Sequence, residues 1–165
     1  MIITLCGFMG SGKTTVGKVL ADFLGCPFMD LDDLVVKKAG KSIPDIFAQD
    51  GEPAFRQLEA RLLRQTVEKY AENTAVLALG GGAVTTPASA SLLHEKTVCI
   101  FLRATLDTLL ERLAGETAGR PLADEAMAAR LTEREPLYEE TAHVIIDTDG
   151  LAPDEVADEI IISAL

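Results

Sequence analysis

The segment that most constrains this chain is Gly7–Thr14, which has the sequence Gly-Phe-Met-Gly-Ser-Gly-Lys-Thr. It follows a short apolar run, Ile2–Cys6, and precedes a helical pattern, Thr15–Leu24. A Gly-x4-Gly-Lys-Thr sequence between a strand and a helix is a phosphate-binding loop, or P-loop. Its glycines let the backbone present several N–H groups towards one point, and the helix N-terminus adds positive potential there. The segment therefore predicts a nucleoside triphosphate site in a strand–loop–helix unit.

The polar residues of the loop have predicted roles in binding ATP. Lys13 carries a mobile charge for the β- and γ-phosphates, and Thr14 offers a hydroxyl group to Mg²⁺. The other loop positions that we expect to contact ATP are Gly10, Ser11, Gly12 and Thr15. The loop alone does not identify the group that accepts the phosphoryl group.

Composition and charge indicate a single globular domain. The chain has 165 residues, of which 48% are apolar and 5% aromatic, so a mostly aliphatic core is expected. The net charge of −11 argues against a nucleic-acid partner, which would require a basic face. The sequence has no run of about 18 apolar residues, which a membrane span would need, and it has no signal-peptide pattern. We therefore expect a cytoplasmic protein, and a monomer, because nothing marks an obligate interface.

Five apolar runs are predicted to be buried strands: Ile2–Cys6, Pro27–Leu31, Ala75–Leu79, Val98–Leu102 and Val144–Asp147. Continuous apolar runs are typical of a parallel sheet that is covered on both faces. Helical patterns fall between and after these runs, at Thr15–Leu24, Gln57–Tyr70, Leu106–Leu113 and Val156–Leu165. The alternation predicts one α/β domain over residues 1–165, with a doubly wound five-stranded parallel sheet in three α/β/α layers.

Glycines and acidic residues cluster where the predicted strands end, which is where such sheets bind ligands. Asp30 and Asp32 close the second strand, and Gly80-Gly81-Gly82 follows the third. Three successive glycines predict a place where a ligand approaches the backbone closely, with a flexible turn as the alternative.

Asp30 and Asp32 are one residue apart, so on a strand their side chains would point the same way, into the crevice. We predict that Asp30 helps to hold Mg²⁺ through water, whereas Asp32 binds the acceptor hydroxyl and acts as its base. The alternative is capping of a helix from Leu34 by Asp32 or Asp33, which explains Asp33 easily but Asp30 poorly.

Three arginines are candidates for contacts with anions. Arg56 and Glu59 have helical i, i+3 spacing, and they form either an exposed ion pair worth about 0.3 kcal/mol or a site in which Arg56 clamps a small carboxylate. Arg120 lies in a glycine-containing segment and Arg134 ends a helical stretch. Both are either solvated charges or ligand contacts, and a loop arginine closing over ATP would neutralise charge on the γ-phosphoryl group.

Taken together, these segments resemble the shikimate kinase family. The matching segments are Gly7–Thr14, Asp30-Leu-Asp32, Ser42–Phe47, Phe55-Arg56-x-x-Glu59, Leu79–Val84, Arg120-Pro-Leu122 and Arg134-x-Pro-Leu-Tyr138. The resemblance spans nearly the whole chain, and the segments other than the P-loop make it specific. It implies a P-loop kinase fold and ATP-dependent phosphorylation of the 3-hydroxyl of shikimate, in the route to chorismate and the aromatic amino acids.

The resemblance also implies where each ligand binds. It makes Asp32, Lys13 and Arg120 the catalytic residues, with Arg120 on a lid at about 114–125. It implies that shikimate is bound within and beside a substrate-binding region at about 33–60. The residues that would bind it are Asp32, Arg56, Gly80, Gly81, Gly82 and Arg134. Glu59 orients Arg56, and Mg²⁺ is expected at Thr14 and Asp30. Adenine is expected between Arg112 and Pro153.

Two alternatives share part of this pattern. Another small-molecule kinase, such as a gluconate kinase, would have the P-loop, the sheet and an arginine-bearing lid. It would not need Phe55-Arg56-x-x-Glu59 followed by Gly80–Gly82. The second alternative is a non-catalytic nucleotide switch or regulatory ATP-binding domain; a guanine switch usually carries an Asn-Lys-x-Asp motif that reads the base, and the sequence has none.

Overall fold

A five-stranded parallel sheet lies at the centre of the molecule. The structure is a computed structural model that describes residues 1–114 and 123–165. Its strands are β1 Ile2–Cys6, β2 Phe28–Asp30, β3 Ala75–Ala78, β4 Val98–Arg103 and β5 Val144–Asp147. Their order is β2-β3-β1-β4-β5, and every pair is parallel. The five predicted strands and the parallel sheet are therefore confirmed, with the second strand shorter than predicted.

Eight α-helices connect and follow the strands in the described part of the chain. They are α1 Lys13–Leu24, α2 Leu31–Ala39, α3 Ile43–Gln49, α4 Glu52–Lys69, α5 Pro87–Lys96, α6 Leu106–Ala114, α7 Ala123–Thr141 and α8 Pro153–Ala164. A short 3-10 turn, Ala83–Thr85, follows the glycine triplet. No helix among the described residues is long and apolar enough to cross a bilayer.

Alternate residues of β1 face two separate apolar layers, as the twofold period of a strand requires. Ile2 and Cys6 belong to the layer beneath α4, α5 and α7, whereas Ile3 and Leu5 belong to the layer beneath α1 and α8. Helices cover both faces of the sheet, which is why most residues of the strands are apolar, and the three-layer prediction is confirmed.

A third apolar cluster lies beside the sheet, away from these two layers. It joins α2, α3 and α4 through Val35, Ile46 and Phe55. Local chemistry sets the ends of these helices: the Ser42 hydroxyl accepts a hydrogen bond from the Asp45 N–H at 3.3 Å, and Gly51 precedes α4. The packing holds the start of α4, which carries Arg56, next to the start of α2, which carries Asp32.

Candidate functional site

The P-loop connects β1 to α1 through three glycines with positive φ. These angles are 148° at Gly7, 82° at Gly10 and 94° at Gly12, in a region that residues with side chains rarely adopt. A Cβ atom at Gly7 would also lie 2.7 Å from the carbonyl oxygen of Leu102. No side chain within residues 1–114 and 123–165 caps α1 at Gly12, so the first N–H groups of that helix can bind an anion.

Lys13 and Ser11 supply the polar side chains inside the loop. The Lys13 ammonium group donates to the carbonyl oxygens of Gly7 at 2.7 Å and Phe8 at 3.0 Å. Burial lowers the pKa of Lys13 to about 8, although the nearby carboxylates of Asp32 and Asp30 oppose this shift. The Ser11 hydroxyl is buried and has no hydrogen-bond partner among the described residues.

Asp30 links the P-loop to the start of α2. Its Oδ1 accepts hydrogen bonds from the N–H groups of Asp32 at 2.9 Å and Asp33 at 3.4 Å, and its Oδ2 accepts from the Thr14 hydroxyl at 3.0 Å. The alternative, in which Asp32 or Asp33 caps a helix from Leu34, is wrong, because α2 begins at Leu31 and Asp30 is its N-cap. One carboxylate therefore caps the helix and also contacts the hydroxyl group of the P-loop.

Asp32 does not share a strand with Asp30, contrary to our prediction. The strand ends at Asp30, so Asp32 lies in the first turn of α2. Burial and the neighbouring Asp30 carboxylate raise the pKa of Asp32, against the opposing charges of Lys13 and Arg56. Asp32 is thus a partly desolvated carboxylate between the phosphate site and Arg56.

The glycine triplet lies against the charged side chains of α2 and α4. A Cβ atom at Gly80 would lie 2.7 Å from Asp32 Oδ1 and 3.1 Å from Glu59 Oε2, and one at Gly82 would lie 2.7 Å from Arg56 Cζ. The groups that closely approach Gly80 and Gly82 are therefore the protein's own side chains, and the predicted approach of a ligand to the triplet stays a prediction. Any larger residue at Gly80 or Gly82 would displace them.

Arg56 and Glu59 form a largely buried ion pair, which excludes the exposed pair among our two interpretations, whereas the carboxylate clamp stays a prediction. Arg56 Nη1 lies 2.9 Å from Glu59 Oε1, and the side chains are 18% and 2% exposed. Burial raises the pKa of Glu59, although the adjacent Arg56 opposes it. Arg56 Nε and Glu59 Oε2 are buried without a hydrogen-bond partner among the described residues, although Glu52 Oε1 forms an ion pair with Arg56 Nε at 3.6 Å.

Arg134, which lies on α7, approaches the glycine triplet at Gly81. A Cβ atom at Gly81 would lie 3.5 Å from Arg134 Nη1. Two guanidinium groups, Arg56 and Arg134, therefore flank Gly80–Gly82, although they lie 78 positions apart in the chain.

A cleft of about 470 Å³ opens on the other side of the P-loop. All of the predicted ATP-binding positions within the described residues line it, together with Thr148, Leu151 and Val156. Arg112 donates to the carbonyl oxygens of Gly10 at 3.3 Å and Thr148 at 3.1 Å, which fixes one wall of the cleft. Pro153 lies on the wall formed by α8. This size suits a nucleotide.

Comparisons with known proteins bear on the identity of this site. The model of the shikimate kinase family matches residues 9–164. A shikimate kinase from Enterococcus faecalis is 43% identical over 164 residues, which cover 96% of this chain and 95% of that protein. The chain belongs to the shikimate kinase family. A shikimate kinase from Geobacter sulfurreducens is 44% identical, with 96% and 87% of the two chains covered.

Solved structures of the family have the same fold as this chain. A shikimate kinase from Acinetobacter baumannii in complex with shikimate superposes with a TM-score of 0.87 at 35% identity, covering 97% of this chain and 90% of that one. The shikimate kinase from Aquifex aeolicus has a TM-score of 0.84 at 36% identity, with 99% and 95% covered. The resemblance that we identified and the P-loop kinase fold that it implied are therefore confirmed.

Some predicted residues of this family member lie outside the described part of the chain, and some contacts were missed. Arg120 and most of the predicted lid, 115–122 of 114–125, fall outside the described residues, so the role of Arg120 stays a prediction. We did not predict that Thr148 and Leu151 line the nucleotide cleft, or that Tyr138 hydrogen-bonds to the triplet. The position of Leu151, an apolar residue just before the start of α8, was a signal that could have found it.

Proposed function

We propose that this protein transfers the γ-phosphoryl group of ATP to the 3-hydroxyl of shikimate, giving shikimate 3-phosphate and ADP. The observation that carries the proposal is the position of the buried Arg56–Glu59 pair, next to both the glycine triplet and Asp32. A nucleotide site alone would need none of these groups. Membership of the shikimate kinase family and the likeness to a shikimate-bound relative support the same acceptor.

Shikimate is a small carboxylate with three hydroxyl groups, and the acceptor site offers matching partners. Arg56 and Arg134 bind its carboxylate, since guanidinium groups pair with carboxylates through two parallel hydrogen bonds. Glu59 holds Arg56 in place through the 2.9 Å contact to Nη1, and Glu52 supports it through an ion pair of 3.6 Å to Nε. The carboxylates of Asp32 and Glu59 can accept hydrogen bonds from the ring hydroxyls.

Phosphoryl transfer depends mainly on in-line positioning and on neutralising charge. Asp32 accepts a hydrogen bond from the reacting hydroxyl and takes up its proton as the new P–O bond forms. Its raised pKa makes it a better base than an exposed aspartate. Lys13 moves from the carbonyl oxygens of the loop to the phosphates and stabilises the negative charge of the transferring group.

Thr14 and Asp30 fit a magnesium ion that accompanies ATP. The Thr14 hydroxyl lies 3.0 Å from Asp30 Oδ2, so two hard oxygen donors meet beside the P-loop. Mg²⁺ in kinases takes one or two protein oxygens, together with water and phosphate oxygens. When bound, it supplies positive charge to the phosphates. The Oδ1 atom keeps its capping bonds to α2, so Asp30 can bind through Oδ2 or through water.

An acceptor comparison tests this function. ADP release is measured with ATP and Mg²⁺ and, in turn, shikimate, gluconate, nucleoside monophosphates or no acceptor. We expect shikimate to accelerate ADP release by at least about a hundredfold over no acceptor, the scale of correct positioning and base catalysis. Turnover with gluconate or a nucleoside monophosphate but not with shikimate would contradict the proposal. ATP binding without turnover on any acceptor would indicate a regulatory domain instead.

A further inference from the structure

Tyr138 places a buried hydroxyl group directly against the glycine triplet. The residue is fully buried, and its hydroxyl donates a hydrogen bond of 2.5 Å to the carbonyl oxygen of Gly81, 57 positions away in the chain. Its ring packs on Phe101 of β4, with the ring centroids 5.0 Å apart. Burial raises the pKa of Tyr138 to about 12, so the hydroxyl keeps its proton and remains a donor at physiological pH.

This hydrogen bond sets the orientation of one peptide group of the triplet. In a trans peptide the N–H of the next residue points opposite to the carbonyl oxygen, and no cis bonds occur among the described residues. With the Gly81 carbonyl held towards Tyr138, the N–H of Gly82 points to the other side of the loop. That N–H makes no hydrogen bond to any described residue, and Gly82 is buried. Buried N–H groups rarely stay unpaired, so this one is a donor for a ligand.

The contact matters because glycine peptides turn easily. Gly81 stands between two further glycines, and none of the three has a side chain that would restrict its φ and ψ angles. Among the described residues, the Tyr138 hydroxyl is the partner of the Gly81 carbonyl. Without it, the carbonyl could turn towards water, and the Gly82 N–H would turn with it.

Tyr138 also lies beside one of the two arginines of the acceptor site. Arg134 precedes it by four positions on α7, which places both on the same face of the helix. The Arg134 guanidinium is close enough to act on the Tyr138 hydroxyl, since its charge opposes the rise in the tyrosine pKa. The same guanidinium approaches Gly81. One hydroxyl group therefore ties the triplet to the helix that carries Arg134.

We infer that Tyr138 is a positioning residue of the acceptor site. Its hydroxyl holds the Gly81–Gly82 peptide so that the Gly82 N–H and the Arg134 guanidinium face the same small carboxylate. The inference rests on the acceptor site proposed above and adds a residue that does not itself contact the substrate. The Tyr138 hydroxyl should therefore affect the binding of the acceptor and not the binding of ATP.

The substitution Tyr138→Phe tests the inference, because it removes the hydroxyl and keeps the ring that packs on Phe101. We expect the KM for shikimate and its Kd by calorimetry to rise about tenfold, the effect of one lost hydrogen bond to a buried group. The KM for ATP should stay within about twofold of wild type, since no hydrogen bond joins Tyr138 to the P-loop in the described part of the chain. The matched control is Tyr70→Phe, which removes the hydroxyl of the other tyrosine, at the end of α4, and should change neither KM.

The outcomes separate this inference from the proposed function. Unchanged shikimate affinity in Tyr138→Phe, with a wild-type protein that binds shikimate, would overturn the inference alone. A parallel rise of both KM values together with a lower Tm would also overturn it, because it would show a general structural role. Failure of the wild-type protein to bind shikimate at all would overturn the proposed function and the inference together.

Discussion

The two halves of the crevice are built in different ways. The donor half is mainly one continuous segment, Gly7–Thr15, and it offers backbone N–H groups, a helix N-terminus and a single lysine. The proposed acceptor half is assembled from four separate parts of the chain, and it offers partly or fully buried charged side chains. Those parts are α2 with Asp32, α4 with Arg56 and Glu59, the triplet Gly80–Gly82, and α7 with Arg134. Binding of the common substrate is thus a local property of the chain, whereas binding of the specific substrate depends on the tertiary fold.

Substitutions in the two halves should therefore have different effects on the binding of the two substrates. A change in the donor half acts through backbone conformation and should alter ATP binding. A change in the acceptor half removes or displaces a charge and should alter shikimate binding or the proton transfer. Asp30 belongs to both halves, because it contacts the P-loop hydroxyl and caps the helix that carries Asp32.

The largest effect is expected from Asp32→Asn. The variant keeps the shape of the side chain but cannot take up the proton of the acceptor hydroxyl, so kcat should fall on the order of a thousandfold. Steady-state kinetics with saturating ATP and shikimate measure this loss. Asp33→Asn is the control, because Asp33 is the exposed next residue in the same helical turn, and it should retain activity. Equal activity of the two variants would show that Asp32 is not the base.

Arg56→Ala should weaken shikimate binding on the order of a hundredfold and leave the KM for ATP nearly unchanged. The loss combines the missing carboxylate contact with the cost of leaving Glu59 buried and unpaired, which should also lower the Tm. Arg61→Ala is the matched control, since Arg61 is an exposed arginine on the same helix. If Arg61→Ala weakened shikimate binding as much, the effect would be one of net charge and the proposed carboxylate contact would be wrong.

A pair of glycine substitutions separates the two halves directly. Gly7→Ala forces a side chain into a φ of 148° and towards the Leu102 carbonyl, so the KM for ATP should rise about tenfold or more. Gly82→Ala places a methyl group against Arg56 and should raise the KM for shikimate by a similar factor. Gly40→Ala controls for the strain of a positive φ, because Gly40 has a φ of 72° in open space. A rise of both KM values in either variant would show that the halves are not separable.

More of the donor half than of the acceptor half could be predicted from the sequence, because the donor half is mainly one continuous segment whereas the acceptor half is assembled by the tertiary fold. Strands and P-loop could be predicted because apolar runs and fixed glycine spacing are local signals. The capping alternative placed the start of α2 three residues late, because Leu31 continues the apolar run of β2 although its backbone is already helical. Local pattern could not decide whether Arg56 and Glu59 were exposed, since their burial depends on packing against Gly80 and Gly82. The acceptor was identified only through the resemblance of the whole set to a family.

The smallest effect concerns stability, and its sign differs between two aspartates. The pKa of Asp32 is raised above 3.8, mainly by burial, so folding favours its protonated form, and that stabilisation is lost as the pH rises through the folded pKa. Asp32→Asn should therefore raise the Tm by a few degrees at pH 7, with the difference disappearing below about pH 4.

The pKa of Asp147 is lowered below 3.8, mainly by its hydrogen bonds to Arg103, so its stabilisation is present above that pH and lost in acid. Asp147→Asn should accordingly lower the Tm at pH 7 and have no effect in acid. Thermal melts of both variants between pH 3 and 8 measure the two signs, and a lower Tm for Asp32→Asn at pH 7 would contradict a stability cost at the acceptor site. The expected result would mean that the charge needed for proton transfer is kept at the expense of folding stability.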